Sequence, residues 1–371
     1  MKNIKKKLES LFKIFFYKTF ILFHGSIKGK INAEEDSRIK IEIVEKESNI
    51  KYKIFRIKNA RLYTDRIHDL AIILDNYIVE GPSYQLRPVN NVQVEKNIVF
   101  EKGTPRKKKI LNGKVLSLLT GGAGNSNYWH WLFDVLPRFA LCEKILNLDK
   151  LDFFLIPSND RNFQKESLDL LNISKKKCLS SKFFRHINAS ELFVTNHPYV
   201  LTKDASHDIQ NIPIWISEWL KSKYINDKLM NNSHFPKKIY IDRSDSLSNT
   251  RGLRQITNEH EIKNYLENNG FKSITLGKFH FHEQVKIFNN AEIIVGLHGA
   301  GFANLCFCKP NTKVVELRSD TAGKMIENLA ISNKLIHKAI NCVPINFKSN
   351  NQFGHINVSL NILQKIIKDL N

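Results

Sequence analysis

The second half of the chain alternates short apolar runs with amphipathic stretches, and few architectures accept that pattern. Apolar runs at 239–241, 273–276, 292–295, 314–317 and 335–340 are separated by segments at 258–266, 283–289 and 324–331. The intervening segments carry apolar residues at helical spacing. Alternation at this length predicts a parallel sheet with helices on both faces. A capping box of Asn258 and Glu261 is expected to open the first of these helices, and Gly270 to close it. Such sheets bind ligands beyond the carboxyl ends of their strands. Those ends hold Asp242 and Arg243, Gly277, the run 296–301, and Glu316 with Arg318.

The most informative of these ends is Val295-Gly296-Leu297-His298-Gly299-Ala300-Gly301-Phe302-Ala303-Asn304. Gly299 and Gly301 are expected to let the backbone turn tightly around Ala300 and approach a ligand closely. The helix that follows would aim its N–H groups and positive dipole end at that place, which suits phosphate. His298 is placed to donate to a phosphate oxygen, and Arg243 and Arg251 to form charge-assisted pairs with it. Glu316, twenty residues after Gly296, would accept from ribose hydroxyls, and Asn304 would brace the loop or touch the ligand. Taken singly, His298 also reads as a structural histidine and Glu316 as a surface carboxylate. Together they point to a nucleoside diphosphate. The spacing G-x-x-G-x-G departs from the dinucleotide fingerprint and no Walker lysine follows, which disfavours a nicotinamide oxidoreductase and a P-loop enzyme.

A second strand-to-helix turn lies at Gly121-Gly122-Ala123-Gly124-Asn125-Ser126-Asn127-Tyr128-Trp129-His130-Trp131-Leu132-Phe133-Asp134-Val135-Leu136-Pro137-Arg138. His130 and Asp134, four apart, share a helix face, so the carboxylate would fix the imidazole tautomer and raise its basicity, as a general base requires. Asn127, Trp129 and Arg138 are expected to face the acceptor, with the aromatic rings offering stacking surfaces for a sugar; aromatic residues at a helix start also read as core. Before this turn, 31–120 reads as short β-segments at 39–44, 52–57, 70–73, 92–100 and 115–120. After it come a strand at 151–156, a helix at 167–171, a strand at 192–195 and an amphipathic helix at 208–225, closed by the polar break Asn231-Asn232-Ser233.

Length, charge and cysteines narrow the class. A chain of 371 residues suits more than one core. The expected division is a basic N-terminal segment 1–30, an acceptor-side domain 31–230, a nucleotide-binding domain 235–345, and a C-terminal tail and helix 346–371. The formal charge of +21 raises a nucleic-acid or polyanion-binding reading, but the lysines are spread along the chain. The surplus therefore favours anions in general over a nucleic-acid groove. Five cysteines form no even framework, so reduced thiols in a cytosol are expected, with Cys306 and Cys308 in the core. In residues 1–30 lysines interrupt the apolar run, which disfavours a signal peptide and a spanning helix. Two readings stay open there: an amphipathic helix on the inner face of the cell membrane, and an ordinary packed or frayed terminus.

With both turns in view, the chain resembles the DUF563 group, glycosyltransferase family 61. The resemblance rests on Asn127-Tyr128-Trp129-His130-Trp131-Leu132-Phe133-Asp134-Val135-Leu136-Pro137-Arg138, Ile239-Tyr240-Ile241-Asp242-Arg243, Arg251 followed by Asn258-Glu259, the run 295–304, and Val315-Glu316-Leu317. It implies a GT-B-like α/β architecture, two Rossmann-like domains facing a cleft, with β-rich N-terminal additions. It implies inverting transfer of a hexosyl or pentosyl group from a nucleotide sugar to a glycan or lipid-linked glycan, as in bacterial capsular or lipopolysaccharide synthesis. It implies no metal and no cofactor, and no Asp-x-Asp triplet is present. One departure is Asp242, where the family pattern has Ser; an acid there is expected to turn from the diphosphate toward a sugar or a helix.

Overall fold

The computed structural model describes residues 2–47, 49–85, 94–119, 126–202, 204–226, 235–247, 254–345 and 354–370. Internal contacts divide the chain into two units, Met1–Asp208 and Ile209–Asn371. Arg251, the glycine-rich turn 121–125 and Asn231-Asn232-Ser233 lie outside the described residues.

The first unit begins with the helix Lys2–His24. Its strands are β1 (Gly29–Asn32), β2 (Ile39–Lys46), β3 (Ile50–Thr64), β4 (Asp69–Leu74), β5 (Tyr77–Glu80), β6 (Tyr84–Gln85), β7 (Lys109–Ser117), β8 (Phe153–Ile156), β9 (Cys178–Ser180) and β10 (His186–Thr195). They form one ten-stranded sheet in the order β1-β5-β4-β3-β10-β7-β8-β9, with β2 on β3 and β6 on β4. Strand β3 pairs antiparallel with β2, β4 and β10, whereas β10, β7, β8 and β9 run parallel. The β-rich segment and the α/β segment after it thus share a sheet, around Ile57, Leu62, Leu70, Val115 and Leu192.

Over its described part, 94–100, the strand expected at 92–100 is not one. Val94–Lys96 is a 3₁₀ turn and Ile98–Lys102 a helix, because Asn97 caps it through the Val99 N–H and donates to the Leu70 and Tyr84 carbonyls. The helix expected from 208 also breaks. It runs as Ala205–Asp208 and then Ile214–Tyr224, with Pro213 at the second N-cap. The second helix packs in the second unit: Tyr224 meets Phe281 edge-on at 4.8 Å and Lys221 reaches Asn333 at 3.0 Å. The unit boundary therefore falls earlier in the chain than the polar break at 231–233.

The second unit holds five parallel strands, β11 (Lys238–Asp242), β12 (Lys272–Thr275), β13 (Ile293–Leu297), β14 (Lys313–Ser319) and β15 (Ile336–Cys342). Their order is β12-β11-β13-β14-β15. Every residue of β13 is buried, as expected of a strand covered on both faces, and each such aliphatic side chain contributes roughly 1.5–3 kcal/mol. The helices Glu259–Asn268, Phe281–Asn290, Met325–Ser332 and Leu360–Leu370 complete the unit. The capping box at Asn258 does not form. Its side chain instead accepts from the Val358 N–H at 3.0 Å and donates to the Val358 carbonyl at 2.9 Å, tying the helix start to the C-terminal segment. Cys306 and Cys308 are buried, and no disulfide joins the described cysteines.

Candidate functional site

In the second unit the strand order reverses between β11 and β13, the place where parallel sheets open a crevice for ligands. Arg243 leaves the end of β11 and His298 the end of β13. Arg243 donates from NH1 to the His298 carbonyl at 3.0 Å. The glycines there do not serve a left-handed turn. Gly299 is extended, with φ 169°. A Cβ at Gly299 would sit 3.1 Å from NH1 and 3.2 Å from Cζ of Arg243, and one at Gly301 2.9 Å from Leu276 Cδ1. The glycines therefore make room for neighbouring side chains. Ala300–Phe307 is a 3₁₀ helix, and the fully buried Asn304 donates to the Gly301 carbonyl at 3.2 Å, bracing the loop.

Glu316, in β14 beside Gly296, has no exposed surface. One carboxylate oxygen meets His298 Nδ1; the other meets His337 Nε2 at 2.9 Å and lies 3.5 Å from Arg318. Burial alone would raise its pKa, but the hydrogen bonds from His298 and His337 outweigh burial and bring it down to about 2. An ionised carboxylate only accepts, so His298 carries its proton on Nδ1 and His337 on Nε2. Burial lowers the His298 pKa despite the Glu316 hydrogen bond, so at neutral pH the ring is uncharged and its Nε2 bears a lone pair.

Sequence reading missed Arg254, three residues past Arg251. It is 8% exposed, and its Nε and NH1 have no hydrogen-bond partner. Burial, then the charge of Arg243, holds its pKa down to about 10, with Glu316 pulling the other way. Asp242 turns away from this cluster: it accepts from Lys263 at 2.8 Å and from the Ser244 N–H at 2.7 Å, on the helix side as expected.

In the first unit Asn127 caps the helical turn Tyr128–His130, accepting from the Trp129 N–H at 2.9 Å. Trp131–Val135 then widens into a π-turn, closed by Leu136 N–H to the Trp131 carbonyl at 3.1 Å; such turns often mark functional sites. The Asp134 carbonyl accepts from Arg138 Nε at 3.0 Å. His130, partly exposed, meets Asp134 Oδ2 through Nδ1 at 2.9 Å. Burial pulls the His130 pKa down, but the Asp134 charge and hydrogen bond outweigh it and the net shift is upward. Burial would raise Asp134, yet His130 and then His197 hold it far below the carboxylate range. His197, also missed in the sequence, places Nε2 3.6 Å from Asp134 Oδ2.

The three residues expected on the acceptor side serve the fold. Asn127 is the cap. Trp129 is buried against Phe133, with ring centroids 4.7 Å apart. Arg138 has no exposed surface and donates to the Thr195 hydroxyl at 2.9 Å, the Tyr84 hydroxyl at 2.7 Å and backbone carbonyls of Thr195 and Asn196. These aromatic and cationic groups fix the π-turn in place and leave the His130 ring partly exposed.

Among the described residues no group of three His, Cys, Asp or Glu side chains is arranged to hold a metal ion, and no helix is long and apolar enough to cross a membrane. The family model described as Glycosyltransferase 61 matches residues 128–315, just over half the chain. The match runs from the His130 turn to the residue before Glu316 and includes Arg243, Arg254 and His298. No curated protein matches the chain.

Proposed function

The chain belongs to glycosyltransferase family 61, and on that premise we propose that it is an inverting enzyme that binds a nucleotide sugar at Arg243, Arg254 and His298 and uses His130 as its base. The observation that carries this reading is the cationic cluster at the strand-order reversal: Arg243 against Gly299, and Arg254 buried with two unpartnered nitrogens. A half-buried and a buried guanidinium beside a neutral histidine favour a ligand carrying several negative charges in a small volume, as a diphosphate does. Glu316 acts through His298. Its oxygens are engaged by two histidines, so the ribose contact expected of it passes to other groups, and its part is to orient the ring.

The acceptor hydroxyl attacks the anomeric carbon as the bond from that carbon to the diphosphate oxygen breaks. The hydroxyl proton passes to His130 Nε2, and Asp134 stabilises the imidazolium. Charge developing on the leaving diphosphate is met by Arg243, Arg254 and His298, which takes up a proton as the anion arrives. These cations supply the neutralisation that a divalent ion gives in other transferases, so the reading calls for no metal. A glycan or lipid-linked glycan of a bacterial surface polysaccharide is the proposed acceptor, and no nucleic acid is involved. The test is release of nucleoside diphosphate from a panel of nucleotide sugars with lipid-linked glycan extract as acceptor. His130→Ala should abolish release and spare donor binding; release near the wild-type rate would remove His130 from the mechanism.

A further inference from the structure

Among its described side chains, the helix Lys2–His24 is held to the first unit along one side. Tyr17 and Ile21 line Gly103, Phe20 stacks on His24 at 5.5 Å, and His24 meets His186 edge-on at 4.8 Å. The described side chains on the other side are mostly apolar and open, with Lys18 at its edge. Ile4, Leu11, Phe15 and Leu22 fall within about 20° of one line along the helix, and Phe12, Phe16 and Phe23 lie beside it. Leu22 is 86% exposed, Phe23 76%, Phe15 66% and Phe12 64%. The same helix has six lysines against one glutamate.

At the foot of this helix sits a charge with no counter-charge among the described residues. Arg61, 9% exposed, donates from NH1 to the His24 carbonyl at 2.9 Å, which closes the helix end, while its Nε and NH2 have no hydrogen-bond partner. His186, 1% exposed, donates from Nδ1 to the Arg106 carbonyl at 2.9 Å and leaves Nε2 unpartnered. Arg61 and Lys108, both cationic, act on His24 and His186 and lower their pKa values together with burial, and burial alone depresses Arg61. A buried guanidinium with two idle donors is costly unless an anion meets it.

We propose that Lys2–His24 docks on a bilayer containing anionic phospholipid, with its apolar row among the acyl chains and a lipid phosphate accepting from Nε and NH2 of Arg61. Charge complementarity selects this occupant: apolar and aromatic side chains on a lysine-rich helix suit the boundary between acyl chains and anionic headgroups. The inference stands apart from the transferase reading.

Flotation of the full chain with vesicles tests it, using phosphatidylcholine alone and phosphatidylcholine mixed with phosphatidylglycerol. The mixed vesicles should bind at least tenfold more tightly. Phe15→Glu with Leu22→Glu should cost at least tenfold in binding at unchanged melting temperature, since both side chains are exposed. Arg61→Met should melt no earlier than wild type and lose several-fold of the preference for phosphatidylglycerol. Equal or absent binding to both vesicles, or flotation of the double variant like wild type, overturns the proposal. So does light scattering showing a wild-type dimer that the double variant breaks. Inorganic phosphate that raises the melting temperature only when Arg61 is present, with lipid preference unchanged in Arg61→Met, would reassign the site to free phosphate.

Discussion

Replacing Arg254 by Met should make the ligand-free protein more stable and the liganded protein less so. Arg254 is 8% exposed, and two of its nitrogens lack partners, so the fold bears a desolvated cation without return. Its pKa falls from the ordinary arginine range to about 10, which corresponds to about 3 kcal/mol against the charged form. Methionine matches the aliphatic length and carries no charge, so about 1–3 kcal/mol of that cost should be recovered. In the complex the same guanidinium would make charge-assisted bonds to a diphosphate, each worth about 1.5–3 kcal/mol, and nucleoside diphosphate affinity should fall roughly ten- to hundredfold. Urea unfolding with and without nucleotide, followed by hydrogen exchange of the β13 and β14 amides, reads both effects. A variant that is destabilised without ligand and binds nucleotide as wild type does would show that Arg254 serves the fold alone.

Asp134→Asn should lower the His130 pKa, because the charge that raises it is removed. Catalysis needs His130 neutral, so the rising limb of kcat against pH should move to lower pH while the plateau falls at least tenfold; an unmoved limb refutes the pairing. Glu316→Gln should cost about 3 kcal/mol at neutral pH, from a folded pKa of about 2 against an ordinary 4.5. The carboxylate's contribution is present above pH 4.5 and lost as pH falls toward 2, so the variant should unfold in acid with a flatter pH dependence, readable by circular dichroism. Gly299→Ala puts a methyl 3.1–3.2 Å from the Arg243 guanidinium, whose far end can shift. Melting should change little and nucleotide affinity should drop several-fold; an unchanged dissociation constant would separate Arg243 from the ligand.

The second unit was legible because its signals are local. Strands such as Ile293–Leu297 are buried on both faces and read as unbroken apolar runs, and Gly270, at φ 82°, closes its helix as expected. Where distant segments decide, the reading failed. Asn258 looks like half of a capping box until Val358, a hundred residues later, takes its side chain. The run 92–100 has strand-forming residues, but Asn97 finds the Leu70 and Tyr84 carbonyls and starts a helix. His130 paired with Asp134 was visible from spacing; His298 and Glu316 stood out one by one at strand ends, but their contact with each other did not. His337 and His197 were not, since each gains meaning only when a separate strand brings it to the same carboxylate. Arg254 carries no periodic signal; its role follows from burial without a partner.

The most direct measurement is calorimetric titration of the whole chain with a panel of nucleoside diphosphates, in two buffers of different ionisation enthalpy. The account predicts saturable binding of at least one of them at one site per chain. It also predicts proton uptake in that titration, because the neutral His298 ring must gain a proton to donate to phosphate, and loss of that uptake in His298→Ala. Absence of binding across the panel, with random DNA bound in a steeply salt-dependent way, would contradict it and return the cationic surplus to a polyanion-binding role.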